Sequence, residues 1–209
     1  MTIGLVPEFT AVNTGKIILI AILCAAVSIA FCVMMHSASE YSQKWVKNPY
    51  IRIFAGGIFV TGIHLLIGIS DYMGAGMEII EHTMHGEVRP EAFVYKMVLT
   101  AVTLGVGYKG GEIVPSFFVG ATFGCLMGQL LGVSPSMCAA VGMIALFCGV
   151  TNCPITSLLL AFEIFGMEGI CFILIGVAVS YMLSGYYSLY HSQKIMYSKY
   201  DAAYRGDKL

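Results

Sequence analysis

Charged residues are scarce in this chain. Only 11% of its 209 residues are charged, whereas 58% are hydrophobic. A soluble domain carries roughly a quarter charged residues, and a soluble core of this size would not need so much apolar sequence. No Asp, Glu, Lys or Arg stands between Glu112 and Glu163, which is enough chain for about two membrane crossings. The composition therefore predicts an integral membrane protein in a lipid bilayer.

Several other functional signatures are missing. The net charge is −1 and there is no long basic run, so nothing indicates a nucleic-acid partner. The first residues lack the basic-then-apolar order of a cleavable signal peptide, and we interpret the first apolar segment as a retained helix. No nucleophile–base pair or three-ligand metal set is apparent, since His82 and His85 have no third ligand nearby. We therefore expect no enzyme activity, no metal and no cofactor.

The apolar segments are unequal in length and several are interrupted by glycine or proline. Ile17–Met35 is long enough to span a membrane and continues into a polar stretch, His36–Asn48, that extends the helix. Short interrupted helices in series are typical of transporters and channels built from discontinuous helices. The remaining predicted helices are Ile51–Ile69, Met77–His85, Phe93–Val106, Pro115–Leu131, Met137–Cys148, Ile155–Phe165 and Gly169–Leu183.

These segments predict an all-α polytopic membrane protein with tilted and broken helices. We divide the chain into a lead-in (1–15), a transmembrane domain (16–191) and a polar helical tail (192–209). Lysine and arginine are enriched both in the tail and in the loop around Lys44, Lys47 and Arg52, so we expect both to be cytoplasmic. Gly120, Gly124 and Gly128 have the small-xxx-small spacing that brings helices together.

The stretch Gly105–Gly124 is the strongest functional candidate in the sequence. It crosses several glycines and then enters an apolar helix with Pro115 in its first turn, where a residue without an amide hydrogen is tolerated. The amides of Ile113 and Val114 lie where that helix must begin, and unpaired amides at a helix start attract anions. Glycines followed by proline are also common in plain connecting loops, so the motif alone leaves both interpretations open.

Three segments, in order, carry a family resemblance. GYKGGEIVPSFFVGATFG resembles the GxFxP segment of the CLC chloride channel and transporter family. NCPITSLLLAFEIF (Asn152–Phe165) is similar to the family's proline followed by an apolar helix that ends in Glu, and QKIMYS (Gln193–Ser198) resembles the segment with its pore-lining tyrosine. The resemblance covers about Lys16 to Tyr200. It implies a CLC-like fold equivalent to the C-terminal half of a member, that is, the second inverted repeat and one preceding helix.

The resemblance implies an anion site and a substrate. Gly111, Glu112 and Ile113 would face the anion, with the amides of Glu112 and Ile113 pointing at it, and Tyr197 would offer its hydroxyl. Tyr190 is the less favoured alternative to Tyr197. Gly110 and Pro115 would support the loop.

The cargo implied by the family is a small anion, chloride first and another halide such as fluoride second. The resemblance also implies a location in a prokaryotic plasma (inner) membrane. It implies as partner a second copy of the chain in a homodimer, or a chain that supplies the missing N-terminal half.

The sequence departs from the family at two positions and lacks two segments. The family's aromatic position is Ile113, a swap that a backbone ligand tolerates. Glu112 places a carboxylate beside the presumed anion, so we expect its side chain to point away, paired with Lys109; if it points inward, it would be a proton carrier. The family's GSGIP-type and GREGP-type loops have no counterpart. We therefore expect the chain to be incomplete alone, either as half of a transporter or as a non-transporting half-subunit.

Overall fold

The computed structural model describes residues 1–67, 74–190, 193, 195–196 and 198–201. Within these ranges the regular secondary structure is all α-helix, as predicted. The helices are α1 (Ala11–Trp45), α2 (Pro49–Ile67), α3 (Met77–Met84), α4 (Ala92–Gly105), α5 (Ile113–Leu131), α6 (Pro135–Thr151), α7 (Pro154–Phe165) and α8 (Ile170–Leu183).

Helix α1 combines the predicted membrane span with its polar extension. The Thr10 hydroxyl accepts a hydrogen bond from the Asn13 amide and fixes the start of the helix. Its 35 residues span about 50 Å at 1.5 Å per residue, more than the ~30 Å hydrocarbon core of a bilayer. The end at Trp45, which is 85% exposed, therefore extends past the apolar layer.

Helix α6 forms the centre of the molecule. Every residue from Ser136 to Thr151 is buried, and α1, α3, α5, α7 and α8 pack around the helix. The sequence predicts α6 only over Met137–Cys148, and the observed helix is longer at both ends. The Ser134 hydroxyl caps it before Pro135, and Asn152 ends it in the left-handed conformation (φ 55°).

The predicted glycine contact is confirmed where α5 crosses α6. A Cβ atom added at Gly124 would collide with the Cys138 carbonyl, and one added at Gly120 would collide with the carbonyl of Gly142. The reverse also holds, because a Cβ at Gly142 would meet the Gly120 carbonyl. The two backbones are therefore in direct contact, as small residues at membrane-helix crossings allow.

The outer surface of the helix bundle is strongly apolar. Helices α1 and α5 are long and apolar enough to cross a membrane, and the remaining apolar helices are shorter, as the sequence predicts. A water-soluble protein rarely exposes such a continuous apolar surface, so the surface suits lipid. Exposed large side chains include Leu19, Ile22, Val33, Phe54, Ile58, Phe59, Leu65, Leu130, Ile155, Leu159, Phe162 and Leu174.

Two boundaries differ from the sequence prediction. Helix α5 begins at Ile113, earlier than the predicted range Pro115–Leu131, and Pro115 lies in its first turn, as its missing amide hydrogen predicts. The described residues of the tail (193, 195–196 and 198–201) are not helical, contrary to the predicted helical tail. The Tyr186 hydroxyl accepts a hydrogen bond from the Lys199 amide (2.9 Å), and the tail's own Ser198 hydroxyl accepts from the amides of Tyr200 and Asp201.

The α5–α6 contact yields a stability prediction. We expect Gly124→Ala to destabilise the protein by about 1–3 kcal/mol, because the added methyl overpacks a backbone contact. The matched control is Gly15→Ala in α1, where a Cβ would meet no atom within 4 Å. That variant should be neutral or more stable by about 0.5–1 kcal/mol, since alanine favours helix. The measurement is thermal unfolding in detergent. Equal melting temperatures for the two variants would contradict the close crossing.

Candidate functional site

The N-terminal end of α5 presents two amide groups that have no hydrogen-bond partner among the described residues. Its cap residue is Glu112, whose carbonyl accepts a hydrogen bond from the Ser116 amide (3.2 Å). The amides of Ile113 and Val114 make no hydrogen bond within the described part of the chain, and Pro115 has no amide hydrogen to donate. The helix therefore directs two free donors, together with the positive end of its dipole, out of its first turn.

The glycines before α5 leave the approach to these amides open. Gly110 and Gly111 are both exposed. A Cβ added at Gly111 would meet no atom within 4 Å, whereas one at Gly110 would approach the Leu104 side chain to 3.0 Å. A ligand can therefore come close to the backbone at Gly111 without displacing a side chain.

The turn between α4 and α5 is held by α1 and α2. The Ser42 hydroxyl of α1 donates to the Gly105 carbonyl, and the Arg52 side chain of α2 donates through Nε to the Val106 carbonyl (3.1 Å). Gly107 then reverses the chain with φ 108°, a conformation that favours glycine. These bonds satisfy the carbonyls that end α4, and they fix the direction in which the chain enters the start of α5.

A cavity of about 340 Å³ adjoins this loop. Three residues predicted for the site, namely Gly110, Gly111 and Pro115, line it, and α4 supplies most of the opposite wall. The cavity is large enough for a hydrated halide, so the candidate site has an aqueous approach. The other lining residues are Val60, Gly74, Lys96, Leu99, Thr100, Thr103 and Leu104.

Lys96 is the charged residue that lines this cavity. It is only 3% exposed, and its Nζ donates to the Gly74 carbonyl (2.6 Å). The same Nζ lies 4.9 Å from the centre of the Phe118 ring, within the range of a cation–π interaction. Lys96 was not among the residues predicted for the site, although an isolated lysine in an apolar helix is itself a signal of function.

The predicted pairing of Glu112 with Lys109 is wrong. No ion pair joins these residues, and the ion pair found among the described residues is His82–Glu87 at 3.6 Å. Glu112 is half-buried, makes no side-chain capping bond and lies near Cys32 of α1. The Ile113 side chain is 39% exposed. Both residues contribute their backbone to the start of α5.

The tyrosine predicted for the site, Tyr197, lies outside the described residues. The alternative, Tyr190, is partly exposed, and its amide donates to the Ser188 hydroxyl (3.2 Å). The structure therefore brings Gly110, Gly111 and Pro115 together at one cavity, with Glu112 and Ile113 at the helix start.

The chain was compared with known proteins. The family model for the voltage gated chloride channel matches residues 2–185. The chloride/fluoride channel protein of Pseudomonas syringae pv. tomato is 32% identical over 176 residues, which are 81% of this chain and 39% of that relative. The H(+)/Cl(-) exchange transporter ClcA of Vibrio cholerae is 26% identical over 170 residues, 75% of this chain and 36% of ClcA.

Solved structures show the same fold. A CLC-type fluoride/proton antiporter superposes with a TM-score of 0.88 at 25% identity, covering 93% of this chain and 49% of the antiporter. A eukaryotic CLC transporter superposes with a TM-score of 0.64 at 23% identity, covering 86% of this chain and 33% of the transporter. The chain therefore spans about a third to a half of the length of these relatives. Because the family model matches most of its residues, the chain belongs to the CLC voltage-gated chloride channel family.

Proposed function

We propose that this chain carries a halide-binding half of a CLC anion pathway. The observation that supports this function is the pair of free amides of Ile113 and Val114 at the start of α5, reached past Gly110 and Gly111. Such donors replace an anion's hydration shell without placing a full positive charge at the site. The Lys96 ammonium beside the same cavity adds a favourable potential for anions.

Fluoride is the cargo that we propose to test first. The sequence favours chloride on family resemblance alone. The relative that is 32% identical is named for both chloride and fluoride, and the structure with a TM-score of 0.88 is a fluoride/proton antiporter. A helix-end site does not by itself select one halide, so each experiment is repeated with chloride for comparison.

We further propose that the remaining anion ligands lie outside these 209 residues. Two amides and one tyrosine hydroxyl form only part of a halide's coordination shell, and the GSGIP-type and GREGP-type loops of the family have no counterpart in this sequence. The candidate sources are a second copy of the chain and protein sequence that bears the other half of the family fold. A subunit that binds halide without transporting it is the competing function.

The first test combines halide binding with liposome flux. Tyr197→Phe should weaken the binding of potassium fluoride by about 10- to 100-fold, because hydrogen bonds to charged groups contribute about 1.5–3 kcal/mol. Gly111→Ala should also weaken it, since the methyl narrows the approach to the amides, yet the open space around Gly111 should keep the fold intact. Titration calorimetry in detergent measures the affinity, and fluoride- and chloride-selective electrodes measure efflux from liposomes.

Gly15→Ala is the matched control, because its methyl also enters open space but lies far from the cavity in sequence, at the start of α1. Its affinity should equal that of the parent chain. Binding without efflux would favour the non-transporting subunit, and efflux that is lost in Tyr197→Phe would favour a working pathway. No halide binding by the correctly folded parent chain would contradict the proposed site.

Proton-coupled exchange is the second candidate for the transport mode, and Glu112 is the residue that favours it. Its carboxylate belongs to the cap residue of α5, next to the two helix-start amides, and is half-buried. A carboxylate beside an anion site can take up a proton when the anion is present, because protonation removes the repulsion between the two negative charges. Passive anion conduction needs no such group.

Glu112→Gln separates the two transport modes. The amide matches the carboxylate in shape but cannot carry a proton at neutral pH. In liposomes that contain the active assembly, we expect the variant to lose halide-driven proton movement, read with a pH electrode, while it retains halide efflux. Proton movement that persists in Glu112→Gln would exclude Glu112 as the carrier, and a parent protein that moves no protons would favour a passive channel.

A further inference from the structure

Thr100 carries a buried hydroxyl group that has no hydrogen-bond partner in the described part of the chain. The residue lies on α4, is only 8% exposed and lines the 340 Å³ cavity beside the start of α5. A threonine hydroxyl inside a helix commonly donates to the carbonyl three or four residues earlier, and Thr100 forgoes that bond. A buried hydroxyl without a partner costs free energy, so its ligand in the working protein requires an explanation.

The other buried hydroxyl groups of the described residues are all satisfied. Thr122 donates to the Phe118 carbonyl (2.7 Å), four residues earlier, and Ser180 donates across helices to the Ala145 carbonyl (2.7 Å). Every further buried serine or threonine hydroxyl described in the structure takes part in at least one hydrogen bond. Thr100 is therefore an exception in this fold, and the exception lies at the proposed halide cavity.

Thr103 shows that the helix itself does not prevent the usual bond. It lies one turn after Thr100 on the same helix and lines the same cavity. Its hydroxyl nevertheless donates to the Leu99 carbonyl (2.7 Å). The two threonines therefore share their helix and their cavity, and they differ in whether the hydroxyl is already bound to the backbone.

Lys96 lies one turn before Thr100, on the same face of α4, because residues four apart in a helix are neighbours. Its ammonium donates to the Gly74 carbonyl (2.6 Å) and lies 4.9 Å from the centre of the Phe118 ring. A Cβ atom added at Gly76 would approach that ring to 2.7 Å and the ammonium nitrogen to 3.6 Å. The tightly packed backbone at this point thus fixes the lysine in the cavity wall.

The charge and size of the cavity suit an anion. None of its described lining residues is acidic and Lys96 is basic, so the potential there is positive. A sphere of that volume is about 9 Å across, whereas one hydrogen bond spans about 3 Å. An ion bound at the α4 wall therefore does not have to touch the α5 wall. Polar side chains facing a cavity within a membrane domain commonly mark an ion pathway.

We propose that the Thr100 hydroxyl is a direct halide ligand on the α4 wall, at a position separate from the amides that start α5. This hydroxyl and the neighbouring Lys96 ammonium are together called the α4 subsite. The ligand is neutral, and the lysine attracts the ion from one turn away, so the ion is held weakly enough to move on. The inference rests on the proposed halide-binding function of this cavity and adds a second position for the ion.

Thr100→Val tests the ligand, because valine has nearly the shape of threonine but no hydroxyl. The variant should bind potassium fluoride about tenfold more weakly in titration calorimetry, since the anion loses one hydrogen bond to a charged partner. Potassium chloride should show a loss in the same direction. Without halide, its melting temperature should equal or exceed that of the parent chain, because a buried hydroxyl without a partner has been removed. Thr100→Ser keeps the hydroxyl and should retain most of the affinity.

Thr103→Val is the matched control. It makes the same substitution on the same helix and at the same cavity, but it removes a hydroxyl that is already bound to the Leu99 carbonyl. Its halide affinity should equal that of the parent chain. A loss comparable to that of Thr100→Val would show a general effect of cavity polarity and would overturn the subsite.

The Gly111→Ala background tests whether the two positions are separate. The loss caused by Thr100→Val should persist there in full, because independent sites give additive changes in free energy. If the loss disappears in that background, the hydroxyl and the helix-start amides act on one ion, and the separate subsite is overturned.

The outcomes distinguish the α4 subsite from the function that it serves. Parent affinity in Thr100→Val for both halides would show that the hydroxyl is satisfied by water alone, and would overturn the subsite while the site at the start of α5 stands. A loss in Thr100→Val combined with parent affinity in Gly111→Ala would support the subsite and contradict the helix-start site. Failure of the folded parent chain to bind either halide would overturn the proposed function and the subsite with it.

Discussion

The direct backbone contact between α5 and α6 is the constraint on which the rest of the structure depends. Lipid provides no hydrophobic drive for helices to associate, so close packing must supply the attraction. Gly120 and Gly124 of α5 meet Gly142 and the Cys138 carbonyl of α6 without any intervening side chain. Because α6 is buried along its length, this contact fixes α5 to the core of the molecule. Fixing α5 also fixes the direction in which the two amides at its start point, and an anion site built from backbone requires such a fixed direction.

A neutral site with a charged neighbour suits an ion that must both bind and leave. Free amides at a helix end carry only partial charges, so they replace water without holding the anion too tightly. The Lys96 ammonium lies in the wall of the adjoining cavity, where it also binds the Gly74 carbonyl and contacts the Phe118 ring. A full charge placed directly on the anion would gain Coulomb energy at low dielectric and slow its release. Because Lys96 lies in the cavity wall and not at the helix end, this slower release of the anion is avoided.

Local patterns predicted most of the helices and singled out Gly110, Gly111 and Pro115, which line one cavity, but they failed where distant segments meet. Pro115 and the glycines before it indicate where α5 starts, and the spacing of Gly120 and Gly124 indicates a close helix crossing. All of these signals lie in or next to one helix, so they could be recognised in the sequence. The Lys109–Glu112 pair was inferred from proximity along the chain, but the turn into α5 places Glu112 near Cys32 of α1. The tail was predicted to be helical from its polar composition. Lys199 instead bonds to Asn152, 47 residues away, a contact that no local pattern encodes.

The start of α5 and the described tail residues Gln193 and Lys199 are attached to the same helix. The tail is bound at the C-terminal end of α6, through Asn152 and the Thr151 carbonyl. The start of α5 is fixed by the crossing of α5 with the N-terminal half of α6, around Cys138 and Gly142. Since α6 is a continuous buried helix, the distance between these two attachments cannot vary without breaking its core packing. Two segments that are far apart in sequence can in this way keep a constant relative position, although the described part of the tail has no regular secondary structure.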